Sequence, residues 1–283
     1  MGQKPTVGLF RVAALTALAT LSFSTTALAT DDVVVDGTLS KVQLEQVMSS
    51  GDWQQALQAE ALLGQRAAPA LYAAIAQAVP VRSRDGSVRF VDEVFSDTQA
   101  VPAILHRLLT GQDSSLTRQA LAIVFASVGD AYSDVMLGLL QTEADPAVRS
   151  TLVYCLRRVR STDVATEGLR IALSDPSAEV RAQAARTTPW RVDGVQLASE
   201  LIVALQDSDD QTRAMAARAL GWLKIAKGIG PLLAKLDDSS ADVRLHALRS
   251  LSRIGPDVVS DQRLAVMLRD TDSRVVRVAR RFR

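Results

Sequence analysis

A leucine, an aspartate two residues on, and a run that opens a helix recur at a fixed period in the second half of this chain. Such self-similarity restricts the fold to stacked copies of one small unit. The copies read LSDPSAEVR from Leu173, LQDSDDQTR from Leu205, LDDSSADVR from Leu236 and LRDTDSRVV from Leu268. Their last residues, Arg181, Arg213, Arg244 and Val276, are 32, 31 and 32 apart. Arg149 lies 32 residues before Arg181, and Arg118 lies 31 before Arg149, so six units share one phase.

Each unit has legible physics. Asp, Ser or Asp-Pro just before the run offers a side-chain acceptor to the unpaired N–H groups of a helix start. Pro146 and Pro176 suit the first helical position. Apolar residues then recur on one helical face, as in Leu152, Val153 and Leu156 or Ala247, Leu248 and Leu251. A break at Lys227-Gly228 or Gly255-Pro256 separates a second helix, so the unit is an αα-hairpin. Alanine at the inward positions lets helices approach closely, and a hairpin that small is stable only when stacked.

The earlier units are fainter, but RAAPALYAAI around Pro69 and AVPAILHRLL around Pro102 align with GIGPLLAKL around Pro231 as second helices. The predicted fold is all-α, an α-solenoid or superhelix of about seven stacked hairpins. Residues 51–283 form the repeat domain, and residues 30–50 carry a capping helix near Thr38 to Met48. Over 81–97, Arg84-Asp85-Gly86-Ser87 could turn a β-hairpin, whereas Val88, Val91, Val94 and Phe95 follow helical spacing. The spacing favours a loop followed by a helix.

The string L-x-D-x-x-x-x-V-R-x-x-A-A-x-A-L-G, closest at Leu205 to Gly221 and Leu236 to Leu251, resembles the HEAT-like repeat of the phycobilisome lyase family. The resemblance spans most of the chain after residue 29 and is weakest before Leu109. It implies a ladder between neighbouring repeats made of Asp175, Asp207, Asp238, Arg149, Arg181, Arg213 and Arg244. Two departures stand out. Thr188-Pro189-Trp190 replaces Ala-Leu-Gly, which predicts an early helix stop at or before Thr188. Val276 replaces the ladder arginine in the last unit, making its helix a cap or an open end.

Lys4 and Arg11, the apolar stretch Val12 to Phe23 and then Ala27-Leu28-Ala29 read as a signal peptide over residues 1–29, cut before Thr30. The stretch is shorter than the roughly 20 apolar residues a bilayer span needs. The expectation is an exported chain, periplasmic in a Gram-negative host and otherwise secreted, with no transmembrane segment after cleavage. Removing the leader leaves 30 Lys and Arg against 31 Asp and Glu. That balance argues against nucleic acid as a partner. The single cysteine, Cys155, excludes an internal disulfide.

Chemistry is hard to find. Members of the wider family include a di-iron hydroxylase with repeated His-Glu pairs and lyases that attach bilins, but this chain has only His106 and His246, neither followed by Glu. No G-x-S-x-G elbow or Gly-rich phosphate loop occurs. Cys155 falls in the slot held by Ala219 and Ser250, which suits an inert packed thiol. No catalytic residue, metal ligand or cofactor is expected.

Two features suggest binding. Trp190 and Trp222 each follow the repeat arginine by nine residues, so stacking places them one repeat apart on one edge. They anchor a partner there or, in the plainer and preferred reading, fill the ridge between repeats. Arg274, Arg277, Arg280 and Arg281, with Arg269 and Arg283, face only Asp270 and Asp272. This cationic end meets a partner or, in the preferred reading, keeps an uncovered repeat edge soluble. The functional expectation is a non-enzymatic scaffold whose concave surface, built by the second helices, holds a protein or peptide. Self-association through the C-terminal edge stays open. The alternative is an enzyme or pigment-attachment factor related to the lyases or to the hydroxylase.

Overall fold

The computed structural model describes residues 35, 37–49, 53–82, 88–90, 101–110, 113–128 and 135–282. The leader read over residues 1–29 lies outside them. Contacts divide the chain into two compact units, one ending at Val135 and one starting at Met136.

In the first unit, α1 (Lys41–Val47) begins with a reciprocal cap: Gln43 N–H donates to Ser40 Oγ at 3.3 Å, and Ser40 N–H donates to Gln43 Oε1 at 2.9 Å. Leu44 and Val47 pack with Val35 and with Ala59 of α2 (Trp53–Ala67). Pro69 opens α3 (Pro69–Gln77), where its missing N–H costs nothing. The helix α4 (Val101–Thr110) packs on α2 and buries Ile104, Leu105 and Leu108. Arg107 grips Asp113 through two nitrogens, at 2.6 and 2.9 Å, and donates to the carbonyls of Ile75 and Ala78 at the end of α3. Then comes α5 (Ser115–Val128).

Residues 81–97 depart from the expected loop and helix. Val81–Arg82 and Val88–Arg89 form the antiparallel strands β1 and β2, paired Val81 to Arg89 and Arg82 to Val88. The strand preference of the β-branched Val81 and Val88, with a sequence of turn propensity between them that lies outside the described residues, outweighs the helical spacing. Residues 91–97, where the helix was expected to continue, lie outside the described residues.

The second unit repeats one motif. After α6 (Val135–Thr142), first helices α7 (Pro146–Cys155), α9 (Ala178–Thr187), α11 (Asp210–Trp222), α13 (Ala241–Ile254) and α15 (Ser273–Ala279) alternate with second helices. These are α8 (Thr162–Leu173), α10 (Ala198–Ala204), α12 (Ile229–Ala234) and α14 (Asp261–Met267). First helices pack on one another in chain order, α7 on α9, α9 on α11, α11 on α13 and α13 on α15. Alanine makes this possible: Ala184, Ala185, Ala216, Ala217, Ala219 and Ala247 are all fully buried.

Helix starts follow the expected chemistry with one correction. Asp145, Asp209 and Asp272 accept hydrogen bonds from N–H groups of the first turn, at 2.8, 2.7 and 2.7 Å. Pro146 occupies the first turn of α7, but Pro176 does not open α9, whose N-cap is Ser177. There the aspartate of the Asp-Pro pair is taken up by an interrepeat contact. The early stop at Thr188-Pro189 is present: α9 ends at Thr187 and a 3-10 turn, Thr188–Trp190, follows. The fold class is therefore all-α apart from the two-residue ladder, and the second unit is a stack of helical hairpins.

Candidate functional site

The ladder residues form one connected hydrogen-bonded chain. Arg149 donates from Nε and Nη2 to Asp175 at 2.8 and 2.9 Å. Arg181 does the same to Asp207 at 2.6 and 2.8 Å. Arg213 pairs with Asp238 at 2.9 and 2.8 Å, and Arg244 with Asp270 at 2.8 Å through both nitrogens. The remaining Nη1 of Arg181, Arg213 and Arg244 donates to two carbonyls of the loop before its own helix, the first being that of its own repeat's aspartate. Each aspartate also accepts from the N–H two residues on, as Asp207 does from Asp209 at 2.9 Å. One aspartate thus joins the preceding helix by its side chain and its own helix by its backbone.

The charges respond to this geometry. The Arg181 guanidinium, working against burial, holds the Asp207 carboxyl below its ordinary value, and Arg244 does the same to Asp270. Burial pushes Asp238 the other way, but the Arg213 and Ser240 donors outweigh it. Asp270, counted in the sequence against the C-terminal arginines, is occupied by Arg244. The pairs are a structural device and leave little reactive surface.

The two tryptophans point outward. Trp190 is 66% exposed and Trp222 54% exposed. The ridge-filling reading requires burial that neither ring has. Trp190 lies on the 3-10 turn that follows α9, just ahead of the buried Asp193. At Trp222, the last residue of α11, the guanidinium of Arg253 from α13 lies 4.7 Å from the ring centre. Trp222 and Arg253 each stand nine residues after their repeat arginine, so equivalent positions meet across neighbouring helices.

One helical turn before that row stands a second, which sequence reasoning missed. Tyr154, Arg186, Arg218, Arg249 and Arg281 each follow the repeat position by five residues, spaced 32, 32, 31 and 32. The signal was present: they keep the same period as the ladder arginines. On α11 and α13 positions five and nine differ by four residues and share one helix face, while Trp190 follows α9 on its 3-10 turn. Unlike the ladder arginines, Arg186, Arg218 and Arg249 have no carboxylate partner among the described residues, and Arg186 Nε is buried without an acceptor. His246, half-buried on α13, is pushed down to about 4 by burial and by Arg249, Arg218 and Arg253, with Asp242 opposing them. Arg253 is itself pushed down, by burial and then by Arg249 and Arg218. The face is crowded with positive charge.

The C-terminal arginines separate into two groups. Arg274 is paired twice, with Asp242 at 2.9 Å and Asp272 at 2.7 Å. Arg277, Arg280 and Arg281 are exposed at the end of α15, where cations suit the negative pole of a helix. Cys155 is buried and its thiol is pushed up to about 12, chiefly by burial. Buried in the same way are Thr187, Ala219 and Ser250, which occupy its slot in the next repeats. Among the described residues no helix is long and apolar enough to cross a membrane.

The HEAT repeats family matches residues 198–281. No curated protein matches the chain. Among solved structures, an engineered protein is 22% identical over 65% of this chain and 96% of its own, with a TM-score of 0.49. The Escherichia coli protein YibA is 15% identical over 87% of this chain and 93% of its own, with a TM-score of 0.47. The CpcE–CpcF complex of phycocyanin lyase from Nostoc sp. PCC7120 is 18% identical over 93% of this chain and 100% of that one, with a TM-score of 0.36. The matched segment, residues 198–281, is thus similar to HEAT repeats and covers the hairpins of the second unit from α10 onward.

Proposed function

We propose that this chain is an exported, non-enzymatic scaffold that holds another protein or a peptide on the repeat face carrying Trp190 and Trp222. The observation that carries the reading is the outward exposure of both rings at equivalent positions of adjacent repeats. Large aromatic side chains left in water on a rigid scaffold are typical anchors of an interface, and stacked repeats offer long surfaces to a partner. This puts the partner at the ends of the first helices, whereas the sequence had suggested the second helices. Export rests on the leader pattern in residues 1–29.

Proximity crosslinking from a tagged chain in its native host tests the reading. One dominant partner is expected, lost when Trp190 and Trp222 are both changed to alanine, and the recovered chain should begin at Thr30. Absence of a partner, together with stoichiometric iron or a visible absorption band on the purified protein, would replace the scaffold with the hydroxylase or pigment-attachment alternative.

A further inference from the structure

Among the arginines of the second unit, those of the ladder are neutralised twice over, by a carboxylate and by carbonyls, while those five residues further along each helix are not. Arg186, Arg218 and Arg249 therefore form a row of unpaired cations across α9, α11 and α13, in register because the ladder fixes the helices in register. Beside it runs the row Trp190, Trp222 and Arg253, whose last two members already stack. On α7 the place of Arg186, Arg218 and Arg249 is taken by Tyr154, which is stacked by Arg157 at 3.9 Å.

Like charges set side by side oppose the packing of the helices that carry them. Carboxylates reach only the edge of this face: Glu179 and Asp209 line a hollow with Arg186, and Asp242 acts on His246, but among the described residues none pairs with Arg186, Arg218 or Arg249. The acids of the same helices, Glu179, Asp210 and Asp242, sit two turns earlier, roughly 10 Å along the axis at 1.5 Å per residue. Asp242 is moreover held by Arg274 at 2.9 Å. A ligand that brings carboxylates to the row would relieve the repulsion.

The dimensions select the ligand. Packed helices lie about 8–10 Å apart, and a peptide extended as polyproline II advances about 3.1 Å per residue with three residues per turn, so every third side chain faces the same way. Three residues of extended peptide therefore span one helix of the row. We propose that the face formed by Arg186, Arg218 and Arg249 with Trp190, Trp222 and Arg253 binds an extended acidic peptide that carries a carboxylate at every third position. Its carboxylates meet the arginines in turn, and an apolar side chain between them lies on the tryptophans. The inference rests on the docking role proposed above and names the chemistry of the partner. A peptide is favoured over nucleic acid because the whole chain carries 32 Lys and Arg against 31 Asp and Glu, without the basic excess a phosphate backbone draws on.

The experiment uses fluorescence anisotropy with the full chain and four labelled probes of equal length. One is a peptide with Asp at every third position and Leu between. The second has the same composition with its aspartates clustered, the third has Asn in place of Asp, and the fourth is a single-stranded oligonucleotide. The spaced acidic peptide should bind at least about fivefold more tightly than the clustered one and weaken with salt. The Arg218→Glu, Arg249→Glu double variant should lose roughly tenfold or more in affinity while keeping its helical far-UV spectrum. Arg218→Lys should keep most of the binding, which separates lost charge from lost fold. Equal binding of spaced and clustered peptides, binding of the Asn peptide, tighter binding of the oligonucleotide, or no binding at all would each overturn the proposal. If a crosslinked partner depends on Trp190 and Trp222 yet is still captured by the double variant, the acidic chemistry fails and the docking role stands.

Discussion

A single ladder arginine carries an unusual share of the packing between two repeats. Arg181 fills four acceptors at once: both oxygens of Asp207 and the carbonyls of Asp175 and Pro176. Removing it leaves a largely buried carboxylate without its two-pronged partner and with only the more distant charge of Arg213, so Arg181→Ala should destabilise the second unit by about 2–4 kcal/mol at neutral pH. Arg181→Lys should recover less than half of that, because an ammonium cannot reproduce the planar fork. The sign with pH follows from Asp207, whose carboxyl the folded state holds below its unfolded value. The stabilisation is complete above about pH 5 and is lost as pH falls through the folded value, below about pH 4. Urea titrations of wild type and Arg181→Ala should therefore converge toward pH 2. A difference that stays constant with pH would show that packing, not charge, carries the effect. At this scale the sequence was informative about period and silent about state. It placed Arg181 and Arg218 at equally regular positions, but only side-chain geometry shows that the first is saturated and the second is bare. The outward exposure of Trp190 and Trp222 was equally hidden, because the period alone does not say which rings the stack covers.

Between elements, close approach is decided by residues that lack side-chain bulk. The contact of α11 with α13 is the most extensive between helices of the described residues, and Gly221, near the end of α11, lies against Ser250 of α13. A Cβ added there would lie 2.6 Å from Ser250 Cα and 2.4 Å from Ser250 Cβ, so backbone and not a flexible tip would have to move. Ser250 is itself fixed by donating to the Ala217 carbonyl at 2.7 Å. Two effects compete in Gly221→Ala: the helix gains about 1 kcal/mol in propensity, and overpacking costs about 1–3 kcal/mol or more. Because the clash is with backbone, overpacking should win, and thermal unfolding of Gly221→Ala should fall by several degrees. A rise in midpoint would mean that the helices separate freely. Helix ends were legible wherever one chemical cue acted alone, as at Asp145-Pro146 and Pro189. They were misplaced where one residue had two tasks: Asp175, read as part of an Asp-Pro helix start, is committed to Arg149, and α9 begins at Ala178 instead. The strands β1 and β2 were the less favoured of two readings because the turn residues 84–87 directly precede apolar residues of helical spacing over 88–95, and the two signals point to different structures.

Across the second unit, stability has the form of a chain of nearest-neighbour terms, since each first helix packs on the one before and the one after. In such an array a weakened interface need not unfold the whole; it can divide it. Arg213 is the test position, because it joins α11 to Asp238, in the loop that opens α13, and caps that contact from its own loop through Asp207 and Ser208. In Arg213→Ala, hydrogen exchange read by mass spectrometry should accelerate in α13 and α15 while α7 and α9 keep their protection. The affected segments should open about tenfold or more faster in apparent rate, since roughly 1.4 kcal/mol of lost interface is a factor of ten in an opening equilibrium. Uniform acceleration from α7 to α15 would instead mark the second unit as one cooperative body, with the ladder distributing strain along it. That distinction bears on binding as well. A face assembled from several helices holds its arginines and tryptophans in register only while the interfaces between those helices hold. A divided array would present Trp190 on one side of the break and Arg253 on the other, so the same variant that splits the exchange pattern should also weaken any ligand that spans α9 to α13.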